Sequence, residues 1–521
     1  MLTEKKTVTQ IFDEMWKKIE ALQGSANKHN YKYAVLYLFF LKYLDDKFQE
    51  RREEIHKENG IRHIDNPSFY AAKGVPFLYK EARWDEMRGE TGNILVHLDK
   101  VFKSIEEANI ETFKGVFERN FFSSENARLD PTNVKSLINV ITNLKSSEEE
   151  GDFLGKAYQY LLNRFSEKGD NSSAFYTPQT IVKLMVSLIE PFEGNIYDPC
   201  CGSGGMFVQT SEMVKELQFG NQKIRVHGQE LKSDTYGLCK MNLAMRGIID
   251  AELGEPSCTF NNDQHPDKKV DFVLANPPFN QSKWREDNTL LDDPRWNGYE
   301  VPPVSNANYA WILHIRDKLS QNGVAGVLLA NKSLDATGKE EKIRRKLIEN
   351  DLIEAIITLP RKTFYNTDIA VTLWIINRNK KSRELRAIQD QKRELRDRTN
   401  QILFIDAREL GVVYEKSYVK LTEEDISLIT KTFHSWRYVG YPEKYEDKDG
   451  FCKSVTLEEL REKSPEYSLF PNTYISFKAP ANDHDWNAEI KEITEQLTQI
   501  LKESRELELK VEKILADPTN Y

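Results

Sequence analysis

Cysteine is scarce in this chain: five in 521 residues, with no C-x-x-C pair to hold a structural zinc ion. Cys200 and Cys201 are neighbours and cannot close an ordinary structural disulfide, so a reducing cytosol is the expected setting. No apolar run reaches membrane-spanning length and the N-terminus lacks the apolar core of a signal peptide, so no membrane association is expected. The pattern G-x-x-x-x-G-K-[ST] is absent, which removes a phosphate-cradling P-loop and ATP-driven work by this chain. No helix-turn-helix or zinc finger is visible. Positive charge is also in deficit. The 73 Lys and Arg against 82 Asp and Glu leave a net charge of −9, a poor balance for gripping a polyanion alone.

What is present is a series of strand-end motifs. Val270-Asp271-Phe272-Val273-Leu274-Ala275 reads as a buried parallel strand and runs into Asn276-Pro277-Pro278-Phe279. Two prolines stiffen the backbone there and fix its carbonyl directions. The Asn offers an acceptor before them and the Phe a flat face after them, which suits a planar group bearing an exocyclic amine. Upstream, Asn195-Ile196-Tyr197-Asp198 is a short strand ending in an acid. The turn Pro199-Cys200-Cys201-Gly202-Ser203-Gly204-Gly205-Met206 follows, and its glycines supply positive φ and let a ligand approach the backbone. This turn is not the dinucleotide pattern G-x-G-x-x-G. Asp198 beside exposed amides suits a ligand with both an ammonium and a carboxylate. Val226-His227-Gly228-Gln229-Glu230 ends the next candidate strand in a carboxylate, where such folds hydrogen-bond a ribose. Asn262-Asp263 comes before the Asn-Pro-Pro-Phe strand, with Asp263 a candidate acceptor for an adenine amine. Phe175-Tyr176-Thr177-Pro178 opens the block and leads into a predicted helix over Gln179–Ile189. Each motif alone has a plain alternative, an ordinary turn or a solvated strand end. Their order carries the reading.

In that order the motifs resemble those of the modification (M) subunits of type I restriction–modification systems, within the N6-adenine DNA methyltransferases. Residues 8–50, with Tyr31-Lys32-Tyr33 and Leu41-Lys42-Tyr43-Leu44, resemble that family's helical N-terminal domain. Gly323–Asp335, Leu359-Pro360, Phe364-Tyr365 and Tyr467–Tyr474 resemble its later stretches. The resemblance implies S-adenosylmethionine as cofactor. Asp198, Gly202, Ser203 and Gly204 would hold its methionine part, Tyr176 and Thr177 would close over that end, Glu230 would bind the ribose hydroxyls and Asp263 the adenine amine. It also implies that Asn276 and the Pro277 carbonyl accept from N6 of a flipped target adenine, with Pro278 completing the rigid turn. Phe279 would stack on that base, and Phe364 and Tyr365 are candidates for a second aromatic wall. No metal is required. Cys200 stands where the family more often has a small residue and is expected to be harmless packing.

Three regions are expected: a helical N-terminal domain over residues 1–150, a methyltransferase domain over 151–480 and a C-terminal helix over 481–521. The first holds apolar stripes such as Val35, Leu38, Phe39 and Leu44, and a polar, acidic linker lies around Ser146–Asp152. The second is expected to be α/β, a doubly wound sheet with late strands at Ile369–Asn377 and Gln401–Asp406. Between them Lys380–Arg398 is dense in charge and reads as a solvated helix. In the tail, Ile490, Ile493, Leu497, Ile500, Ser504, Leu507, Val511 and Ile514 form a heptad seam, expected to dock on a partner's helices. In the resembled family that partner is the specificity (S) subunit, flanked by two M subunits and joined by a nuclease–translocase subunit on double-stranded DNA. This division fits the acidic balance. Local clusters such as Lys339–Lys346 could supply affinity for DNA, but another subunit is the favoured source. Methylation of RNA or of a glutamine amide, a stand-alone enzyme, N4-cytosine methylation and a non-catalytic assembly subunit stay open as alternatives.

Overall fold

The structure, a computed structural model, describes residues 7–144, 153–167, 177–216, 224–248, 250–364, 368–388, 391–414, 418–476 and eight positions between 494 and 507. The first part is helical. Thr7 and Gln10 form a reciprocal capping box at the start of Val8–Ala21, and Asn27 caps the long helix Lys28–Asn59. Residues 33–41 of that helix are all buried, so it forms the centre of a bundle rather than showing one apolar stripe. Ile94–Ala108, Pro131–Thr142 and Phe153–Glu167 contribute to the same core. That core continues into the helix Ser233–Met245 through Leu238, Met241, Ala244 and Met245. Gly237 permits the approach: a Cβ there would lie 2.4 Å from the Val116 carbonyl oxygen.

The remainder is built on strands β1 (Gly194–Asp198), β2 (Ile224–Gly228), β3 (Val270–Ala275), β4 (Leu319–Ala330), β5 (Ile353–Thr358), β6 (Val371–Asn377), β7 (Arg383–Ile388), β8 (Gln391–Leu395), β9 (Gln401–Asp406), β10 (Val412–Tyr414), β11 (Tyr418–Lys420) and β12 (Cys452–Thr456). Eight of them form one sheet in the order β12-β9-β5-β6-β4-β3-β1-β2. Neighbours among β2, β1, β3 and β4 are parallel, as are β5 and β9. β6 is inserted antiparallel between β4 and β5, and β12 closes one edge antiparallel to β9. Every residue of β5 and β6 is buried, as a sheet covered on both faces requires. Gln179–Ile189, Gly205–Glu216 and Glu423–Arg437 pack on one face; Asn308–Lys318 and Lys339–Glu349 pack on the other. The doubly wound α/β expectation and both late strands are therefore seen.

The stretch Lys380–Arg398 departs from its expectation. It holds a two-stranded antiparallel hairpin, β7 with β8, in place of a solvated helix. Its ends are anchored inside the protein. Lys380 is buried, donating to the Ile353 and Gln401 carbonyls and pairing with Asp351 at 2.5 Å. Arg398, fully buried, donates to Glu354 Oε1 at 2.8 Å. These charges serve internal partners, which a reading of composition cannot see. Of the tail seam, Leu497, Ser504 and Leu507 are described: they are helical and exposed. The other five seam positions, and the linker at 146–152, lie outside the described residues.

Candidate active site

The sheet order creates the site. From β1 the chain passes to β2 on one side, while β3 lies on the other, so a crevice opens beyond the carboxyl ends of β1 and β3. Asp198 ends β1, and Asn276 follows the last residue of β3. Parallel pairing of β1 with both neighbours puts Asp198, Glu230 and Asn276 at one edge of the sheet.

The turn after β1 is held by its own backbone. The amide of Cys200 donates to Asp198 Oδ1 at 3.0 Å, and that of Cys201 to the Gln229 carbonyl at 3.0 Å. Gly202 N–H donates to Glu230 Oε2 and Lys232 N–H to Glu230 Oε1, both at 3.0 Å, so one carboxylate ties the ends of β1 and β2 together. Gly202 (φ 55°) and Gly204 (φ 80°) take the left-handed conformation this turn needs. Among the described residues, and its chain neighbours apart, a Cβ on Gly202 would meet no atom within 4 Å, whereas one on Gly204 would lie 3.0 Å from Cys239 Sγ. Asp198 is 2% exposed, and burial, with a smaller push from Glu230, raises its carboxyl to about 7. Burial also raises Glu230, and it keeps the Cys200 thiol well above its ordinary range.

These groups line a cavity of about 370 Å³, within the range of small-ligand sites. It is lined by Asp198 to Ser203, Gly205 and Met206 with Glu230 and Leu231, while Gly204 faces Cys239 instead, and Asn276 and Pro278 reach it from β3. Two contributions were not foreseen from the sequence. Cys258, Thr259 and Phe260 form one wall, and Lys32, Leu162 and Ser166 come from the helical region. No local pattern marks either group, because each reaches the cavity only through the tertiary fold.

Asn276 is oriented by Thr177: its Nδ2 donates to Thr177 Oγ1 at 2.8 Å, while its Oδ1 is buried and has no partner among the described residues. The following loop is pinned by Asn280 (φ 52°), whose N–H donates to Asn308 Oδ1 and whose Oδ1 accepts from Asn308 Nδ2. Phe279 and Phe364 stand edge to face, centroids 5.7 Å apart, outside the cavity lining. Tyr176 and Tyr365 lie outside the described residues. Asp263 is not brought to the cavity lining. Its carboxylate pairs with buried Lys318 at 2.5 Å and accepts from the His265 amide.

His227, Glu252 and His265 also cluster, but their polar atoms are engaged by Asn195, the Gly228 carbonyl and Lys268, so that group reads as internal bracing.

Comparison with known proteins bears on this site. A family described as N-6 DNA Methylase matches residues 149–483, and one described as the HsdM N-terminal domain matches residues 5–144. The methylase subunit of type I restriction enzyme HindI from Haemophilus influenzae is 36% identical over 442 residues, covering 82% of this chain and 93% of that protein. The methylase subunit of MjaIX from Methanocaldococcus jannaschii is 33% identical, covering 96% and 90%. The crystal structure of a type I methyltransferase subunit from Streptococcus thermophilus superposes with a TM-score of 0.72, covering 90% of this chain and 100% of that one; at 23% identity this likeness speaks to the fold. The chain belongs to the methylase (M) subunits of type I restriction–modification enzymes and is an N6-adenine DNA methyltransferase.

Proposed function

We propose that the cavity binds S-adenosylmethionine and that Asn276 receives the amine of an adenine flipped out of duplex DNA. The observation that carries this is the buried Oδ1 of Asn276. Among the described residues it lacks a partner while its Nδ2 is held by Thr177, so the amide keeps an acceptor ready for an N–H donor. Cofactor fit is supported by three features: the raised, buried carboxyl of Asp198, the open space beside Gly202 and the carboxylate of Glu230. Asp198, with Gly202, Ser203 and Gly204, would hold the methionine part, and Glu230 the ribose hydroxyls. Tyr176 and Thr177 would close over the methionine end.

The bound cofactor supplies an activated methyl group on a sulfonium. The rest falls to the protein. The N6 lone pair of adenine is delocalised into the ring and is a weak nucleophile. Asn276 Oδ1 and the Pro277 carbonyl, accepting from the N6 hydrogens, draw the amine towards tetrahedral geometry and raise its electron density. Pro277 and Pro278 hold those acceptors rigid, and Phe279 stacks on the base against Phe364, which places N6 in line for transfer. Asp263, engaged by Lys318, is the weakest of the proposed cofactor contacts.

Sequence recognition is assigned to a separate specificity subunit. The exposed Leu497 and Leu507 of the tail support a helical docking face for it, and the acidic balance of this chain fits that division. An assembly of two M and one S subunit, joined by a nuclease–translocase, acting on double-stranded DNA in the cytoplasm, completes the proposal. Among the described residues no helix is long and apolar enough to cross a membrane.

The test is methyl transfer from labelled S-adenosylmethionine to duplex DNA, by the chain alone and with its specificity subunit, followed by analysis for N6-methyladenine. Product is expected only with the partner, and Asn276→Ala should lower the transfer rate by about 10²- to 10³-fold. Undiminished methylation by Asn276→Ala would refute its role, and label entering RNA or protein instead of DNA would refute the substrate.

A further inference from the structure

Among the described residues, three buried side-chain atoms of residues that line the cavity have no hydrogen-bond partner: Asn276 Oδ1, Gln281 Oε1 and Trp311 Nε1. Buried polar atoms are normally met by protein, water or a ligand, and among the described residues these three are the unpaired ones that belong to the cavity lining. Asn276 is used by the transfer reaction; the other two are not. The backbone of Gln281 is held by Ala307, whose N–H donates to the main-chain carbonyl of Gln281 at 2.9 Å. Trp311 lies early in the helix Asn308–Lys318, is 5% exposed and packs 4.2 Å from the Phe260 ring.

The two free atoms have opposite polarity, because an amide oxygen accepts and an indole N–H only donates. They share a cavity with the apolar groups Leu231, Cys258 and Phe260. The Watson–Crick edge of adenine is the complement: its amine donates and its N1 accepts. We infer that Gln281 and Trp311 read the adenine edge of the bound cofactor, Gln281 Oε1 accepting from the amine and Trp311 Nε1 donating to the ring nitrogen. This rests on the cofactor reading above and deepens it. A flipped target adenine carries the same edge. The cofactor is favoured because Glu230 and Leu231 on the nucleoside side share this lining and the rings proposed to stack on the target base, Phe279 and Phe364, stand outside it; Asn276 and Pro278, also in the lining, mark where target and cofactor meet. Asp263, paired with Lys318, leaves the amine in need of another acceptor.

The experiment is calorimetric titration of the full chain, without DNA, with S-adenosylhomocysteine and with S-inosylhomocysteine. Hypoxanthine exchanges donor for acceptor at position 6 and acceptor for donor at N1, so it mismatches the indole N–H outright and meets Gln281 only when that amide turns over. The wild-type chain should prefer the adenine ligand by about tenfold or more. Gln281→Leu and Trp311→Phe should each weaken the adenine ligand by about tenfold and reduce the preference accordingly, with thermal melting of the free variants showing that they are folded. Equal affinity of the wild-type chain for the two ligands overturns the inference whatever the variants do. So do variants that keep wild-type affinities, including the case where only KM for DNA rises, which would give the pair to the target base. Failure of the wild-type chain to bind either ligand would overturn the cofactor reading itself, and this assignment with it.

Discussion

Asp198 makes the sharpest prediction, because its burial sets stability against binding. Moving its carboxyl from 3.8 to about 7 corresponds to about 4 kcal/mol against the ionised form. The folded-state value is raised, so the contribution to stability is present below the unfolded value and is lost as pH rises through about 7. A free chain at neutral pH thus tolerates a poorly solvated charge, and a cationic ligand group relieves it. Asp198→Asn should then melt higher than the wild-type chain at about pH 8, yet bind S-adenosylmethionine about 10- to 100-fold more weakly, the loss of a charge-assisted contact. Wild-type affinity should fall towards tenfold per pH unit below about 7, while the variant shows only the titration of the cofactor's own amine. Calorimetry between about pH 6 and about pH 8, with thermal melts of the unliganded proteins, measures both. Parallel pH profiles for the two proteins, or a lower melting temperature for the variant, would refute the reasoning.

Gly202 and Gly204 should separate binding from folding. Gly202→Ala places a methyl where no atom of the described residues beyond its chain neighbours lies within 4 Å, and should weaken cofactor binding with a stability loss of only about 1 kcal/mol, read by calorimetry and melting. Gly204→Ala drives its Cβ to 3.0 Å from Cys239 Sγ at a φ of 80° and should cost about 1–3 kcal/mol, seen in denaturant unfolding. Glu354, fully buried, accepts from Arg398 and Asn377; burial opposes its charge, but Arg437 and Arg398 hold its carboxyl down at about 2. Its stabilisation is therefore complete above the ordinary Glu range and lost as pH falls towards about 2. Glu354→Gln should cost about 3–5 kcal/mol at neutral pH and flatten that part of the acid limb. Asp263→Ala leaves buried Lys318 unpaired and should lower the melting temperature while cofactor affinity stays within about twofold. Tenfold weaker binding at an unchanged melting temperature would make Asp263 a ligand instead.

The motifs at the ends of β1, β2 and β3 were legible because each is local: an apolar run, then residues whose backbone geometry is set by proline or glycine. Their convergence was legible too, since a parallel sheet with a switch between β1 and β3 must bring consecutive strand ends to one edge. What the sequence hid was non-local. Asp263 reads as a free acceptor until Lys318, 55 residues on, takes its charge. Lys380 and Arg398 read as solvated until Asp351 and Glu354 appear beneath them. The reversal of β6 between β4 and β5 carries no mark in an apolar strand buried on both faces, because such a strand reads alike in either direction.

The helical region is part of the site's construction, though sequence reading set it apart. Its core is shared with Leu238, Met241, Ala244 and Met245, on the helix that follows Glu230. His29 pairs with Asp234 at 3.3 Å, and Tyr43 Oη donates to the Met245 carbonyl, at the two ends of that helix. Lys32, Leu162 and Ser166 then line the cavity opposite the turn after β1. Glu230 begins the segment that this helix continues and holds the Gly202 amide, so the packing of the bundle bears directly on where that carboxylate stands. A ligand that fills the cavity touches both regions at once. Anything that tilts the bundle must shift either the wall made by Lys32 and Leu162 or the helix that carries the end of β2. A variant that loosens the bundle, such as one at Tyr43, is therefore expected to weaken binding of a ligand in this cavity, which calorimetry would read, through side chains that no motif joins.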